Sequence, residues 1–189
     1  MYEAFNRVIS LTLPNSILLG SIPENLGMIQ HLRFLDISNN SINGSIPFSI
    51  FHASELQSLD LSYNIISGEI HEFVGGLKNL QSLNLSDLSS NLFNSSLNPN
   101  FGGNNISYLN VSFNRISGEI PKEFAEKFPS SAILLDLSFN NLTGEIPESV
   151  IFLKQDSRSF IGNQELCGIP IRNPSKNHRF TVLCIGVSV

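Results

Sequence analysis

Two aspartates, Asp36 and Asp60, stand 24 residues apart in near-identical strings, Leu35-Asp36-Ile37 and Leu59-Asp60-Leu61, and a third sits in Leu135-Asp136-Leu137. Apolar and polar residues alternate there at period two, the pattern of a short strand with one buried face. If adjacent parallel strands carry Asp36 and Asp60, their carboxylates lie about 5 Å apart, a separation at which one could act as acid and the other as nucleophile on a glycosidic bond. Such chemistry needs a desolvated pocket that keeps one carboxyl group protonated. An open sheet flanked by Ser38, Ser62 and Ser138 supplies none, so no catalytic residue is expected. His31, His52, His71 and His178 show no spacing suited to a metal and are expected to face solvent, so neither metal nor cofactor is expected.

The elements that must position these side chains recur along the chain. The pattern Leu-x-x-Leu-x-Leu-x-x-Asn, followed by Gly-x-Ile-Pro, is clearest from Leu32 to Asn40 with Gly44 and Pro47, and from Ile106 to Asn114 with Gly118 and Pro121. The markers Ser16, Asn40, Asn64, Asn91, Asn114, Asn140 and Asn163 are spaced 24, 24, 27, 23, 26 and 23 residues apart. A period of this length, with this motif, marks a leucine-rich-repeat solenoid. The expected fold is an α/β repeat: a right-handed solenoid with a parallel β-sheet on the concave face and short helical or 3₁₀ segments on the convex face. The marker Asn ends each strand, where its amide can satisfy backbone groups inside the coil. Gly44, Gly68, Gly118 and Gly144 fall where the backbone bends, and Pro47, Pro121 and Pro147 fix φ where the convex segment begins. Between Leu83 and Asn91 about three extra residues intervene, and Ser95 and Asn98 hold the expected Gly and Pro positions, so this coil is expected to bulge.

The Leu-x-Gly-x-Ile-Pro step resembles the plant-specific class of leucine-rich repeats found in receptor-like kinases, receptor-like proteins and polygalacturonase-inhibiting proteins. The stretch from Ser159 to Pro170, containing Gly162-Asn163-Gln164-Glu165-Leu166-Cys167-Gly168, is similar to the closing motif of receptor-kinase ectodomains. The resemblance covers residues 7–171 and implies a non-catalytic ectodomain of a plant receptor-like kinase or receptor-like protein, acting in cell-surface signalling. It implies a peptide or protein ligand, with a co-receptor ectodomain as a possible partner. Two alternatives remain at this point: a wall-resident inhibitor of polygalacturonase, and a non-functional truncated gene product. In the family the Cys of Leu-Cys-Gly pairs with a second Cys shortly after it, but residues Ile171-Arg172-Asn173-Pro174-Ser175 contain none. Cys167 could instead reach Cys184 in an oxidising compartment, or Cys184 could remain free or be acylated.

Because each coil places equivalent residues at one height, outward positions fall into columns. The first holds Ser10, Phe34, Ser58, Ser82, Tyr108 and Leu134; the second Thr12, Asp36, Asp60, Asn84, Asn110 and Asp136; the third Pro14, Ser38, Ser62, Ser86, Ser112 and Ser138. The monotonous serine column suits strand closure, whereas the first two vary as recognition requires. Phe34, Asp36, Ser58, Asp60, Tyr108 and Asp136 are therefore the candidate ligand-binding residues, aromatic anchors beside acidic partners. Against this stands a solvated structural ladder, the commoner role of Asp in such a column. Tyr63, Phe113 and Phe139, each just before a marker Asn, either extend the face or pack between coils. Sequons at Asn39, Asn43, Asn84, Asn94, Asn105, Asn110 and Asn141 are candidate glycosylation sites. Glycans on Asn84 or Asn110 would cover the middle of the sheet.

Three segments are expected: an uncapped extension (1–6), the repeat domain (7–171) and a juxtamembrane-like tail (172–189). A net charge of −5 with no basic patch argues against nucleic acid. Residues Met1 to Arg7 lack the features of a secretory signal, and no cysteine-paired cap of the family's kind covers Val8, Leu11 and Leu13, which points to a truncated gene product or gene model, the alternative being a mature domain that needs no cap. The ten apolar residues from Phe180 to Val189 would reach roughly 15 Å as a helix, half of a bilayer core of about 30 Å. They resemble the start of a transmembrane segment, the alternative being a disordered apolar tail; on the first reading the expected home of a full-length parent is the plasma membrane, with this domain on the extracellular side.

Overall fold

The computed structural model describes residues 7–70, 77–86, 91–99, 105–128 and 133–171. Coil one holds β1 (Ser10–Thr12) and β2 (Leu19–Ser21), coil two β3 (Phe34–Asp36) and β4 (Ser41–Gly44), and coil three β5 (Ser58–Asp60) and β6 (Ile65–Gly68). Coil four holds β7 (Ser82–Asn84) and β8 (Leu92–Phe93), and coil five β9 (Tyr108–Asn110), β10 (Ser117–Glu119) and α1 (Lys122–Glu126). Coil six holds β11 (Leu134–Asp136), β12 (Asn141–Glu145) and α2 (Val150–Leu153), after which β13 (Glu165–Cys167) closes the stack. The first strand of every coil joins one six-stranded parallel sheet in the order β1-β3-β5-β7-β9-β11. Leu11, Leu35, Leu59, Leu83, Leu109 and Leu135 lie in register at its inward centre. The solenoid and its concave sheet are those the repeat predicts.

A second parallel sheet, absent from the sequence reading, runs along the flank. It comprises β2-β4-β6-β8 and β10-β12-β13, with Ser96 and Ser117 bridging the two parts. The strings after each marker Asn alternate again, as in Ser41-Ile42-Asn43 and Asn141-Leu142-Thr143, with the middle residue buried. The sheet divides beside coil four, where Ser95 replaces the glycine that neighbouring coils hold at φ of 79 to 90°.

Among the described residues the convex segments are 3₁₀ turns at Leu26–Met28, Phe48–His52 and Ser157–Phe160, together with α1 and α2. Pro47 and Pro121 precede their segments directly, each at φ −63°. Coil six departs from the expected pattern. Pro147 lies three residues before α2, and the Ser149 side chain accepts the Phe152 N–H instead, supplying a cap.

Leucine, isoleucine and phenylalanine fill one continuous core from Ile22 to Leu166. Phe93, Phe124, Phe152 and Phe160 are fully enclosed where the coils need bulk, and each side chain of this size contributes about 2–3 kcal/mol by leaving water. The marker asparagines stitch the coils together. Asn64 Oδ1 accepts the Ile42 N–H at 3.0 Å, and its Nδ2 donates to the carbonyls of Ile37 at 3.0 Å and Leu61 at 3.1 Å. Oδ1 of Asn91, Asn114, Asn140 and Asn163 likewise accepts N–H groups of Ile66, Phe93, Ile116 and Leu142. Asn91 keeps this place although its coil is longer; the inserted residues 87–90, where a bulge was expected, lie outside the described residues. Among the described residues no buried side-chain nitrogen or oxygen lacks a partner.

In the first coil Val8 and Leu13 are exposed, while Leu11 is half-buried. Ile17 is 85% exposed. The segments 1–6 and 172–189, His71, His178 and Cys184 lie outside the described residues. Cys167 is not a free thiol. Among the described residues no helix is long and apolar enough to cross a membrane.

Candidate functional site

Each concave strand turns its middle leucine inward and its flanking residues outward. β3 and β5 set Phe34 beside Ser58 and Asp36 beside Asp60. Two strands further on, β9 and β11 set Tyr108 beside Leu134 and Asn110 beside Asp136. The six candidates therefore form two groups, with Ser82 and Asn84 of β7 between them. Phe34 is 43% exposed and Leu134 68%, apolar surface on a rigid support. Tyr108 is half-buried, and its hydroxyl oxygen accepts a hydrogen bond from Asn110 Nδ2 at 3.3 Å.

The second column has a double role that sequence alone did not reveal. Asp36 Oδ1 accepts both the N–H and the hydroxyl of Ser38, at 3.0 and 2.7 Å, and Asp60 Oδ1 accepts the same pair from Ser62 at 3.0 and 2.6 Å. Asn84 repeats this with Ser86, while Asn110 and Asp136 accept the N–H of Ser112 and Ser138 at 3.0 and 2.9 Å. These are Asx turns, so in coils two to six one side-chain oxygen holds the strand end. The serine column closes the strands as expected. Asp60 Oδ2 reaches sideways and accepts from Asn84 Nδ2 at 3.0 Å. The aspartates are half-buried on an open sheet rather than enclosed in a pocket. Their arrangement can hold hydrogen-bond donors or a cation from a partner.

Both borders of the sheet are built. On one, Asn15, Asn39, Tyr63, Phe113 and Phe139 all adopt φ between 52 and 55°, a conformation in which aromatic residues are outliers. The Phe113 and Phe139 rings stack at 4.2 Å, so these aromatics pack between coils, while Tyr63 and Phe139 also remain exposed. On the other border His31 Nδ1 lies 2.8 Å from Glu55 Oε1, and Arg33 Nε donates to Glu55 Oε2 at 3.1 Å. The hydrogen bonds from His31 and then Arg33 hold the Glu55 carboxyl below the usual carboxylate range. His31 is thus a bridge between coils rather than the solvent-facing residue expected; its 24-residue offset from Glu55 was the available signal.

Beside β9 and β11 a hollow of about 1580 Å³ opens between α1 and α2, with Leu134 and Asp136 at its edge and Glu119, Glu123, Glu145 and Glu148 among its walls. Of the sequons, Asn84 and Asn110 lie on the concave face, Asn39 on the aromatic border, Asn105 just before β9, Asn43 and Asn141 in strands of the second sheet, and Asn94 directly after its strand β8. Among the described residues no group of three or more His, Cys, Asp or Glu side chains could hold a metal ion.

The Leucine Rich Repeat family pattern matches residues 31–53, 55–77, 105–126 and 133–153. A receptor protein kinase-like protein of Arabidopsis thaliana is 46% identical over 86 residues, which make up 46% of this chain and 11% of the relative. The chain spans about a tenth of the length of the curated relatives it matches, 11% in each case. Among solved structures, the ectodomain of the Arabidopsis receptor kinase HAESA, in complex with an amino-terminally extended IDA peptide hormone, is 33% identical with a TM-score of 0.75, covering 85% of this chain and 26% of that one. A chain of the BIR3–SERK2 complex from Arabidopsis thaliana is 32% identical with a TM-score of 0.57, covering 89% of this chain and 74% of that one.

Proposed function

We propose, from the premise that this chain belongs to the leucine-rich-repeat ectodomains of plant receptor-like kinases, that its concave sheet recognises an extended peptide or the matching surface of a partner ectodomain. The observation that carries this reading is the division of labour along each strand. Inward leucines and marker asparagines repeat almost unchanged, whereas Ser10, Phe34, Ser58, Ser82, Tyr108 and Leu134 differ at one height on the outward face. Phe34 and Leu134 are anchors that a ligand can cover without disturbing the core. Asp36, Asp60 and Asp136 offer acceptors already oriented by their serine turns. Ser58 and Tyr108 complete the two groups.

Six strands about 4.8 Å apart make a face roughly 24 Å wide, which about seven residues of extended chain would cross at about 3.4 Å each. The solved relatives contain a peptide hormone in one case and a SERK partner in the other, and both ligand classes suit this face. The work of the chain is binding rather than covalent chemistry, performed on the extracellular side of the plasma membrane in the full-length parent. Peptides of seven to twelve residues selected on the purified protein, and a SERK-type ectodomain, are the probes. Carbene footprinting should show protection of Phe34, Tyr108 and Leu134 when either binds. Protection confined to the second sheet would reject the concave face as the site.

A further inference from the structure

We propose that the second sheet is the glycosylated flank of this protein, with N-linked oligosaccharide on Asn43, Asn94 and Asn141, while Asn84 and Asn110 on the concave face stay bare. All seven sequons satisfy the same sequence rule, and the fold separates them. Asn43 and Asn94 stand three residues after the markers Asn40 and Asn91, and Asn141 one residue after Asn140. Odd positions on this strand point outward, because the residues between them, Ile42, Phe93 and Leu142, are buried at 5%, 0% and 1%. All three asparagines are exposed, as are the hydroxyl-bearing Ser45 and Ser96, while Thr143 is half-buried. They occupy coils two, four and six, so neighbouring glycan roots stand about 10 Å apart along the stack. Each chain then has room that adjacent coils would deny it.

The concave sequons are closed. Ser86 and Ser112 are buried, and their asparagines are half-buried. Asn84 Nδ2 donates to Asp60 Oδ2 at 3.0 Å, and its Oδ1 accepts from the Ser86 hydroxyl at 2.8 Å, so the amide and hydroxyl that transfer requires are held by the sheet. Asn110 is held between the Tyr108 hydroxyl and the Ser112 N–H. The exposed Asn39 and Asn105 have Nδ2 engaged with Asn15 Oδ1 and the Lys78 carbonyl, and stay bare on the same ground.

Transfer forms a bond from Asn Nδ2 to the anomeric carbon of a lipid-diphosphate-linked oligosaccharide. The bond from that carbon to the diphosphate oxygen breaks, and the amide proton is lost as the lipid diphosphate leaves. The flank can react before or after folding; the concave positions lose their chance as the coils close. The proposal rests on the ectodomain reading in one respect, passage of the parent through the secretory pathway. Its consequence is that sugar shields the flank and leaves the recognition face open.

The test uses the full chain with an added secretory leader, expressed in plant cells and treated with peptide N-glycosidase A in H₂¹⁸O. Peptides from both medium and microsomes are read, so a retained product is scored as well as a secreted one. Conversion to ¹⁸O-labelled Asp is expected at Asn43, Asn94 and Asn141, with unlabelled Asn at the other four sequons. N43Q, N94Q and N141Q should each remove one glycan step on a gel. Label at Asn84, Asn110, Asn39 or Asn105, or an unlabelled flank, overturns the proposal. Since the leader is supplied, such a result rejects the glycan pattern alone, whereas a correctly glycosylated protein that binds neither probe rejects the recognition reading alone.

Discussion

The side-chain nitrogen of Asn64 stands 3.0 Å from the carbonyl oxygen of Ile37, 27 residues earlier and in the preceding coil. The same amide accepts the Ile42 N–H through its oxygen at 3.0 Å. One buried side chain thereby satisfies backbone groups of two coils and fixes how β3 lies against β5. The spacing between Phe34 and Ser58, and between Asp36 and Asp60, follows from it.

Asn64→Ala should therefore cost about 3 kcal/mol, since it strands a buried N–H and buried carbonyls at about 1–3 kcal/mol per group. Urea unfolding followed by far-ultraviolet circular dichroism measures it. A loss below about 1 kcal/mol would mean that water replaces the amide and that the ladder does not set the coil spacing.

Asp36 separates scaffold from recognition. Asp36→Asn keeps the oxygen that Ser38 needs and removes a charge beside Asp60, so stability should stay within about 0.5 kcal/mol of the parent. Asp36→Ala abandons the turn and should cost about 1 kcal/mol. Thermal unfolding of the two variants tests the ranking; equal losses would show that the Ser38 contacts contribute nothing.

Glycine matters unequally in the first coil. A Cβ on Gly27 would lie 1.9 Å from the Ser49 carbonyl oxygen, whereas one on Gly20 meets nothing within 4 Å, although its φ is +89°. Gly20→Ala should cost about 1–2 kcal/mol from left-handed backbone strain, and Gly27→Ala about 3 kcal/mol because the convex turns must separate. Hydrogen exchange at the Leu13 N–H, which donates to the Asp36 carbonyl at 2.7 Å, should accelerate most in Gly27→Ala. Equal acceleration in both variants would contradict the close packing.

The Glu55 bridge gives a pH signature. Its carboxyl is held below the ordinary range by His31 and Arg33, so its stabilising effect is complete above the unfolded value near ~4.3 and is lost as pH falls through the lowered folded value. Glu55→Gln should melt at a lower temperature than the parent at pH 6, and the gap should close toward pH 2. A gap that persists unchanged at pH 2 would assign the effect to something other than the carboxylate.

The repeat, the inward leucines and the marker asparagines were legible in the sequence because each depends on residues within one coil. Features set by the next coil were harder to read. The left-handed backbone at Tyr63, Phe113 and Phe139 is signalled only by Asn15 and Asn39 at the equivalent position, and the Phe113–Phe139 stack helps hold it. The Asx role of Asp36 and Asp60 depends on the turn that follows the strand, which spacing alone does not reveal. The residues after each marker Asn alternate as well, but three- or four-residue strings are too short to distinguish a second strand from a loop by pattern alone, so that sheet was not read from the sequence.

The central claim is that the variable concave column binds and the repeated residues support it. Affinity of a selected peptide for Phe34→Ala, Leu134→Ala and the second-sheet control Ile65→Ala, measured by interferometry on variants of parental melting temperature, tests it most directly. Weakening of about tenfold or more in the two concave variants, with the control unchanged, is the predicted result; unchanged affinity in both concave variants would contradict it.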